Sequence, residues 1–234
     1  MSVLTYRERP AVADPEGLLV LHHGRGANEE DLLSLSDVLD ARGRLHVVTP
    51  RAPLSLPGSP GYHWYLVPRV GHPDRDTFHA ASRLLAQFHD ELWERTGLGP
   101  ERTVLGGFSM GSVMSFALGL GADRPAPAGI LGFSGFLPVV DGWHPDMRGR
   151  GMPRAFIAHG RHDPIITIDF ARRAREVLEA GGLEVDYHES EGAHEIDPEQ
   201  IPAAIDWLAD TVAPTARPCN PSSEGPDARQ SSER

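Results

Sequence analysis

The stretch Gly107-Phe108-Ser109-Met110-Gly111 follows an apolar run at 103–105 and precedes a segment, 112–120, with small residues at helical spacing. G-x-S-x-G at a junction of strand and helix is the pattern of a nucleophile elbow. The serine takes strained backbone angles on a tight turn, and its neighbours must be small for the turn to close. Its hydroxyl then faces the N-terminus of the following helix, where developing negative charge is favoured. A plain glycine-rich turn fits the same five letters, so the flanking strand and helix patterns decide for the elbow. Gly132-Phe133-Ser134-Gly135 also ends a strand-like run but lacks the second glycine spacing. Ser134 therefore carries little weight as a nucleophile.

A serine hydroxyl needs a base, and the base needs an orienting acid. In a sheet of this kind the chain order is serine, acid, histidine. Asp163 follows a strand-like run at 155–158, and His194 follows another at 183–187. Order and placement both agree with Ser109. The bland alternatives are a helix-capping aspartate before Pro164 and a solvated loop histidine. His188 alternates with strand residues and reads as structural. An oxyanion formed at Ser109 needs N–H donors, one of them from the residue after the nucleophile, Met110. The second is expected from the loop His23-Gly24-Arg25-Gly26, where glycines let the backbone approach an ester closely; Arg25 is the candidate. A simple glycine turn is the competing reading there.

These residues need a frame that brings strand ends together. Strands are expected at 18–21, 45–48, 103–108, 130–133, 155–158 and 183–187. Helices are expected from an Asn28 N-cap through Leu32, Leu35 and Leu39, and at 76–95, 112–120, 168–180 and 198–212. Residues 51–75, rich in Pro and Gly, read as a long excursion. The alternation implies right-handed crossovers and a mostly parallel sheet, with the site at the carboxyl ends of its strands. One domain is expected over 1–212. Residues 213–234, rich in Pro and Ser, read as a disordered tail that lacks core-forming side chains.

Bulk properties narrow the partners. The chain has 234 residues, 40% hydrophobic and 24% charged, consistent with a globular domain. A net charge of −11 argues against nucleic acid and against stable membrane association. The N-terminus shows no signal-like apolar region, and Cys219 is the only cysteine, so the cytoplasm is the expected compartment. No P-loop, no G-x-G-x-x-G after a strand and no H-E-x-x-H occurs, so neither a nucleotide nor a metal is expected.

Five blocks, LHHGRGANEEDLL, TPRAP, GGFSMGSVMSFALGL, HGRHDPII and EGAHEI, occur in order. Together they resemble the phospholipase/carboxylesterase family of α/β-hydrolases, close to the acyl-protein thioesterases, over about residues 15–212. The resemblance implies an α/β-hydrolase fold, a mostly parallel central sheet with helices on both faces, no cap domain and no cofactor. Carried over, Ser109, Asp163 and His194 form the triad, and the backbones of Arg25 and Met110 form the oxyanion hole. His63-Trp64-Tyr65 resembles an aromatic segment beside the family's substrate groove. The chain departs from the family pattern at Arg25, where many relatives are apolar, at Met110, often Gln, and at Leu66, in place of an aspartate.

The segment between Phe133 and Ala155 is too short for a helical cap, so an open cleft is expected, roofed only by the loops at 51–75 and 134–153. Its expected walls are Trp64, Tyr65, Phe136 and Leu137, although ordinary loop packing would explain the same residues. The expected function is a serine carboxylesterase acting on a small-molecule ester, with short acyl chains preferred. An acyl-thioesterase, a lysophospholipase and a non-catalytic hydrolase-fold binding protein are the alternatives. The oligomeric state, a homodimer included, stays open.

Overall fold

A computed structural model describes residues 3–147 and 152–212. The tail expected at 213–234 lies outside them. The chain runs β1 (Tyr6–Arg9), β2 (Gly17–His22), α1 (Leu33–Leu39), β3 (Leu45–Pro50), β4 (Leu54–Ser55), β5 (Tyr62–His63) and α2 (Arg75–Thr96). It continues through β6 (Thr103–Phe108), α3 (Met110–Leu120), β7 (Gly129–Phe133), β8 (Arg154–Gly160), α4 (Ile168–Ala180), β9 (Val185–Ser190) and α5 (Ile201–Val212).

The main sheet has seven strands in the order β1-β3-β2-β6-β7-β8-β9. Only β1 is antiparallel. After β2 the chain adds β3 on one side and later returns to add β6 on the other, so β2 and β6 flank the point where strand order reverses. Ligand crevices form at that point. His22 pairs in register with Gly107, which sets the loop after β2 beside the turn after β6.

Strand alternation explains the layers. Leu18 and Val20 pack with Phe78, Leu85, Phe88, Val113 and Met114 under α2 and α3. Their neighbours Leu19 and Leu21 face the opposite way and pack with Leu39, Trp207 and Leu208 of α1 and α5. Ala171, Ala174 and Leu178 seat α4 against Ile130, Ala155, Ile157 and Phe116, on the same side as α3. Buried on both faces, the central strands show continuous apolar runs. This is the α/β-hydrolase architecture. Among the described residues no helix is inserted between β7 and β8.

Several boundaries differ from expectation. Asn28 does not cap α1; its Oδ1 accepts from the Glu30 N–H at 2.8 Å and closes a turn, and the helix starts at Leu33. Glu29 is drawn away from any helix dipole by Arg51, whose Nε and Nη2 donate to its carboxylate at 2.6 and 2.5 Å. Strand β9 begins at Val185, because Leu183 is spent packing against the end of α4. Residues Pro198–Gln200 form a single 3-10 turn before α5. The edge strand β1 (Tyr-Arg-Glu-Arg) carries no apolar run, and the ribbon β4–β5 lies inside the excursion. Neither was expected from sequence. Helix α2 is delimited by local chemistry: Asp74 accepts from the Thr77 N–H at 3.0 Å, and Gly97 ends it at φ 67°.

Candidate active site

Ser109 stands between β6 and α3 with φ 53° and ψ −117°, a conformation L-residues rarely hold. The two glycines around it have a steric reason. A Cβ on Gly107 would lie 2.5 Å from the Gly111 carbonyl carbon, and one on Gly111 only 1.9 Å from the His22 oxygen. The first turn of α3 thus presses directly on the ends of β6 and β2. Ser109 N–H donates to the Phe133 carbonyl at 2.9 Å, which ties the elbow to β7.

Ser134 shares the strain, with φ 49°, so backbone conformation does not single out a nucleophile. Partners do. Ser109 Oγ lies 2.9 Å from His194 Nε2, and His194 Nδ1 lies 2.7 Å from Asp163 Oδ2. A carboxylate only accepts, so Nδ1 carries the proton and Nε2 presents its lone pair to the serine hydroxyl. Ser134 Oγ instead donates to the Glu195 carbonyl at 2.9 Å. It fastens the loop that carries His194.

That loop is held from three further sides. Arg161 and His162 N–H groups donate to the Ser190 and Gly192 carbonyls at 2.8 and 3.0 Å. Gly160 must lack a side chain, since a Cβ there would meet the Gly192 and Ala193 oxygens at 2.3 and 2.4 Å. The Phe108 ring lies 5.0 Å from the His194 ring, centroid to centroid.

Asp163 does two jobs. Oδ1 accepts from the Ile165 and Ile166 N–H groups, both at 2.8 Å, and so closes a turn; it caps no helix, because α4 begins at Ile168 with Thr167 at its N-cap. Oδ2 faces His194 and, at 3.1 Å, Nε2 of the buried His159, which also reaches the Ile166 carbonyl at 2.7 Å. Burial works against the Asp163 charge, but the hydrogen bonds from His194 and from the two N–H groups outweigh it and hold its pKa below the ordinary range. Burial lowers the pKa of His159, so this second histidine stays neutral.

The N–H groups of Arg25 and Met110 have no hydrogen-bond acceptor among the described residues. Met110 is the first residue of α3, where the helix offers no internal partner. The loop behind Arg25 is locked. His23 Nε2 accepts from the Ala52 N–H at 3.0 Å, so its Nδ1–H donates to the Gly24 carbonyl at 2.7 Å. Burial depresses the His23 pKa and keeps that tautomer neutral.

A cleft of about 380 Å³ opens over Ser109 and His194. Tyr65 and Phe136 line it, with Arg25, Val67, Arg69, Val70, His72 and Ile165 among the others. Two expectations fail here. Trp64 is fully buried, and its Nε1–H donates to the His23 carbonyl at 2.9 Å, supporting the Arg25 loop from behind. Its indole N–H is satisfied only by turning inward, away from the cleft. Leu137 packs in the cluster under α4 and does not line the cleft. The 66–73 wall lies within the 51–75 loop expected to roof the cleft, but without a periodic signal its individual residues could not be singled out. His188 lies elsewhere, stacked on Phe156 at 4.9 Å.

The phospholipase/carboxylesterase family profile matches residues 10–212. The chain belongs to this family. It is 26% identical over 220 residues to an acyl-protein thioesterase 1 from Debaryomyces hansenii, covering 86% of this chain and 94% of the relative. Among solved structures, esterase PE8 matches with a TM-score of 0.73 and 27% identity, covering 89% of this chain and 99% of that one. A carboxylesterase from Bacillus cereus has the same fold, with a TM-score of 0.76 at 22% identity over 89% and 94% of the two chains. Membership of the family makes the protein a hydrolase. Which bond it cleaves is a separate question.

Proposed function

We propose that this protein is a serine carboxylesterase that works through an acyl-enzyme. One observation carries the reading: Ser109 Oγ, His194 and Asp163 form a continuous relay at 2.9 and 2.7 Å beside two unbonded backbone N–H groups. His194 Nε2 takes the hydroxyl proton as Oγ attacks the carbonyl. The oxyanion is stabilised by the N–H groups of Arg25 and Met110, and Asp163 stabilises the imidazolium. His194 then returns the proton to the leaving alcohol, and water repeats the sequence on the acyl-enzyme. Tyr65 and Phe136 contact the bound ester. No step calls for a cofactor.

A fluorophosphonate should label the wild type at Ser109 and leave Ser109→Ala unlabelled, with p-nitrophenyl butyrate turnover lost in parallel. Labelling at Ser134 would overturn the assignment.

A second reading has specific support. The Debaryomyces relative is named a thioesterase, and Val67, Val70 and Ile165 leave apolar surface at the cleft mouth. The open cleft favours short acyl chains, so p-nitrophenyl acetate or butyrate should exceed the palmitate ester in kcat/KM. A steady rise to the palmitate would favour the thioesterase reading.

A further inference from the structure

Arg25 and Arg69 line the same cleft as Ser109 and His194, and no Asp or Glu lines it. This is unexpected in a chain with a net charge of −11. Arginines elsewhere are spoken for: Arg7, Arg9, Arg44, Arg51, Arg124 and Arg154 each hold a carboxylate, and Arg102 holds backbone carbonyls. Among the described arginines only Arg25, Arg42, Arg69 and Arg83 make neither an ion pair nor a side-chain hydrogen bond. Two of these four share one cleft.

We propose that this cleft selects esters bearing an anionic group, with Arg25 and Arg69 as the counter-charges. The proposal rests on Ser109 being the nucleophile of an esterase. Three features support it. A guanidinium offers paired N–H donors that match a carboxylate or a phosphate, and both of these are uncommitted. The Arg25 cation already acts on its surroundings: after burial, it is the next cause of the lowered His63 pKa. Among the remaining walls Val67, Val70, Phe136 and Ile165 are apolar, with Tyr65 and His72 beside them. The cleft is therefore built for an amphipathic substrate, with a short hydrocarbon against those walls and a negative group against the arginines. A carboxylate on the acyl chain and a phosphate on the alcohol both meet this description.

Matched esters separate the two. Mono-p-nitrophenyl adipate differs from p-nitrophenyl hexanoate by a carboxylate in place of a methyl. Butyryl glycerophosphate differs from glycerol monobutyrate by a phosphate. The readout is the charged-to-neutral ratio of kcat/KM within each pair, in which any general effect on catalysis cancels. In wild type at low salt the ratio should exceed one for at least one pair. Arg25→Ala and Arg69→Ala should each lower it about fivefold, mainly through KM of the charged ester, and Arg69→Glu should lower it further. Added NaCl should erode the wild-type ratio and leave the doubly substituted protein's unchanged. A fall confined to one pair assigns the anion as carboxylate or phosphate. A wild-type ratio below one in both pairs, or a ratio that survives the double substitution, overturns the proposal. Neutral-ester turnover that persists in Ser109→Ala overturns the esterase reading instead, whatever the ratios.

Discussion

The proton inventory around His194 decides what each residue can contribute. Asp163 Oδ2 fixes which imidazole nitrogen is protonated, and Oδ1 is consumed by two backbone N–H groups, so the carboxylate cannot rotate away. Asp163→Asn keeps the shape but can present an N–H to His194 and flip its tautomer. We expect kcat to fall by roughly 10⁴-fold with little loss of folded protein, checked by p-nitrophenyl butyrate kinetics beside circular dichroism. The Arg25 loop permits a cleaner separation. Arg25→Ala keeps the backbone donor and should change kcat on neutral esters only a few-fold. Arg25→Pro removes the N–H and should cost on the order of 10²–10³ in kcat. Fluorophosphonate labelling of the proline variant reports whether Ser109 and His194 remain aligned. Equal losses in the two variants would show that the guanidinium, and not the backbone, is the group that matters.

At the scale of elements, the site is a contact between backbones. Strand β2 and helix α3 touch at Gly111, so closely that a methyl group has no place to go. Gly111→Ala should therefore destabilise by about 3 kcal/mol or more, or prevent folding, measured by urea unfolding or by yield of folded protein. Gly58→Ala is the control: nothing lies within 4 Å of its Cβ, and only the positive φ of 76° opposes it. This contact also explains what could be read from sequence. The places of Ser109 and Asp163 were legible because each follows a buried apolar run, continuous where a parallel strand is covered on both faces, whereas His194 follows the half-buried edge strand β9 and was legible from chain order. Asn28 was misread because a side chain that caps a helix closes a turn equally well. Trp64 was misread because an aromatic beside a groove has the same letters whether it faces the ligand or supports the loop behind it. Arg69 left no signal at all, since an exposed arginine in a Pro- and Gly-rich segment looks like any solvated residue. The fold is encoded in periodicity, and the relay in a motif and a chain order at the strand ends. The cleft walls are encoded only in three-dimensional closure.

Across the whole molecule, the sheet and its helices hold an unusual set of neutral histidines. His22, His23, His89 and His159 are buried at the ends of β2 and β8 and on α2. His22 Nδ1 meets Ser115 Oγ at 2.8 Å, and its Nε2 lies 3.4 Å from His89 Nε2. Ser115 Oγ in turn donates to the Gly106 and Gly111 carbonyls at 2.9 and 3.0 Å, so the chain of contacts ends under the elbow. Burial is the first cause of the lowered pKa in all four, and it takes His89 down to about 3. The sign of the consequence follows from linkage. Above the unfolded value, near 6.5, neither state binds these protons and stability is at its plateau. As pH falls below that value the unfolded chain takes up protons that the native state refuses. The native state therefore loses ground continuously, for His89 down to about pH 3. Asp163 acts in the same direction but lower, because its depressed pKa withdraws stability only as pH drops beneath the ordinary carboxylate range. We expect Tm to be flat from pH 8 to 7 and to fall steadily from about 6.5 toward 4.5, before most carboxylates titrate. His89→Leu, close in volume and unable to bind a proton, should make that fall shallower, even if its Tm at pH 7.5 is lower. Scanning calorimetry in low-salt buffers across this range measures both slopes. A wild-type Tm that holds level down to pH 4.5, or an unchanged slope in His89→Leu, would show that these rings protonate within the native state.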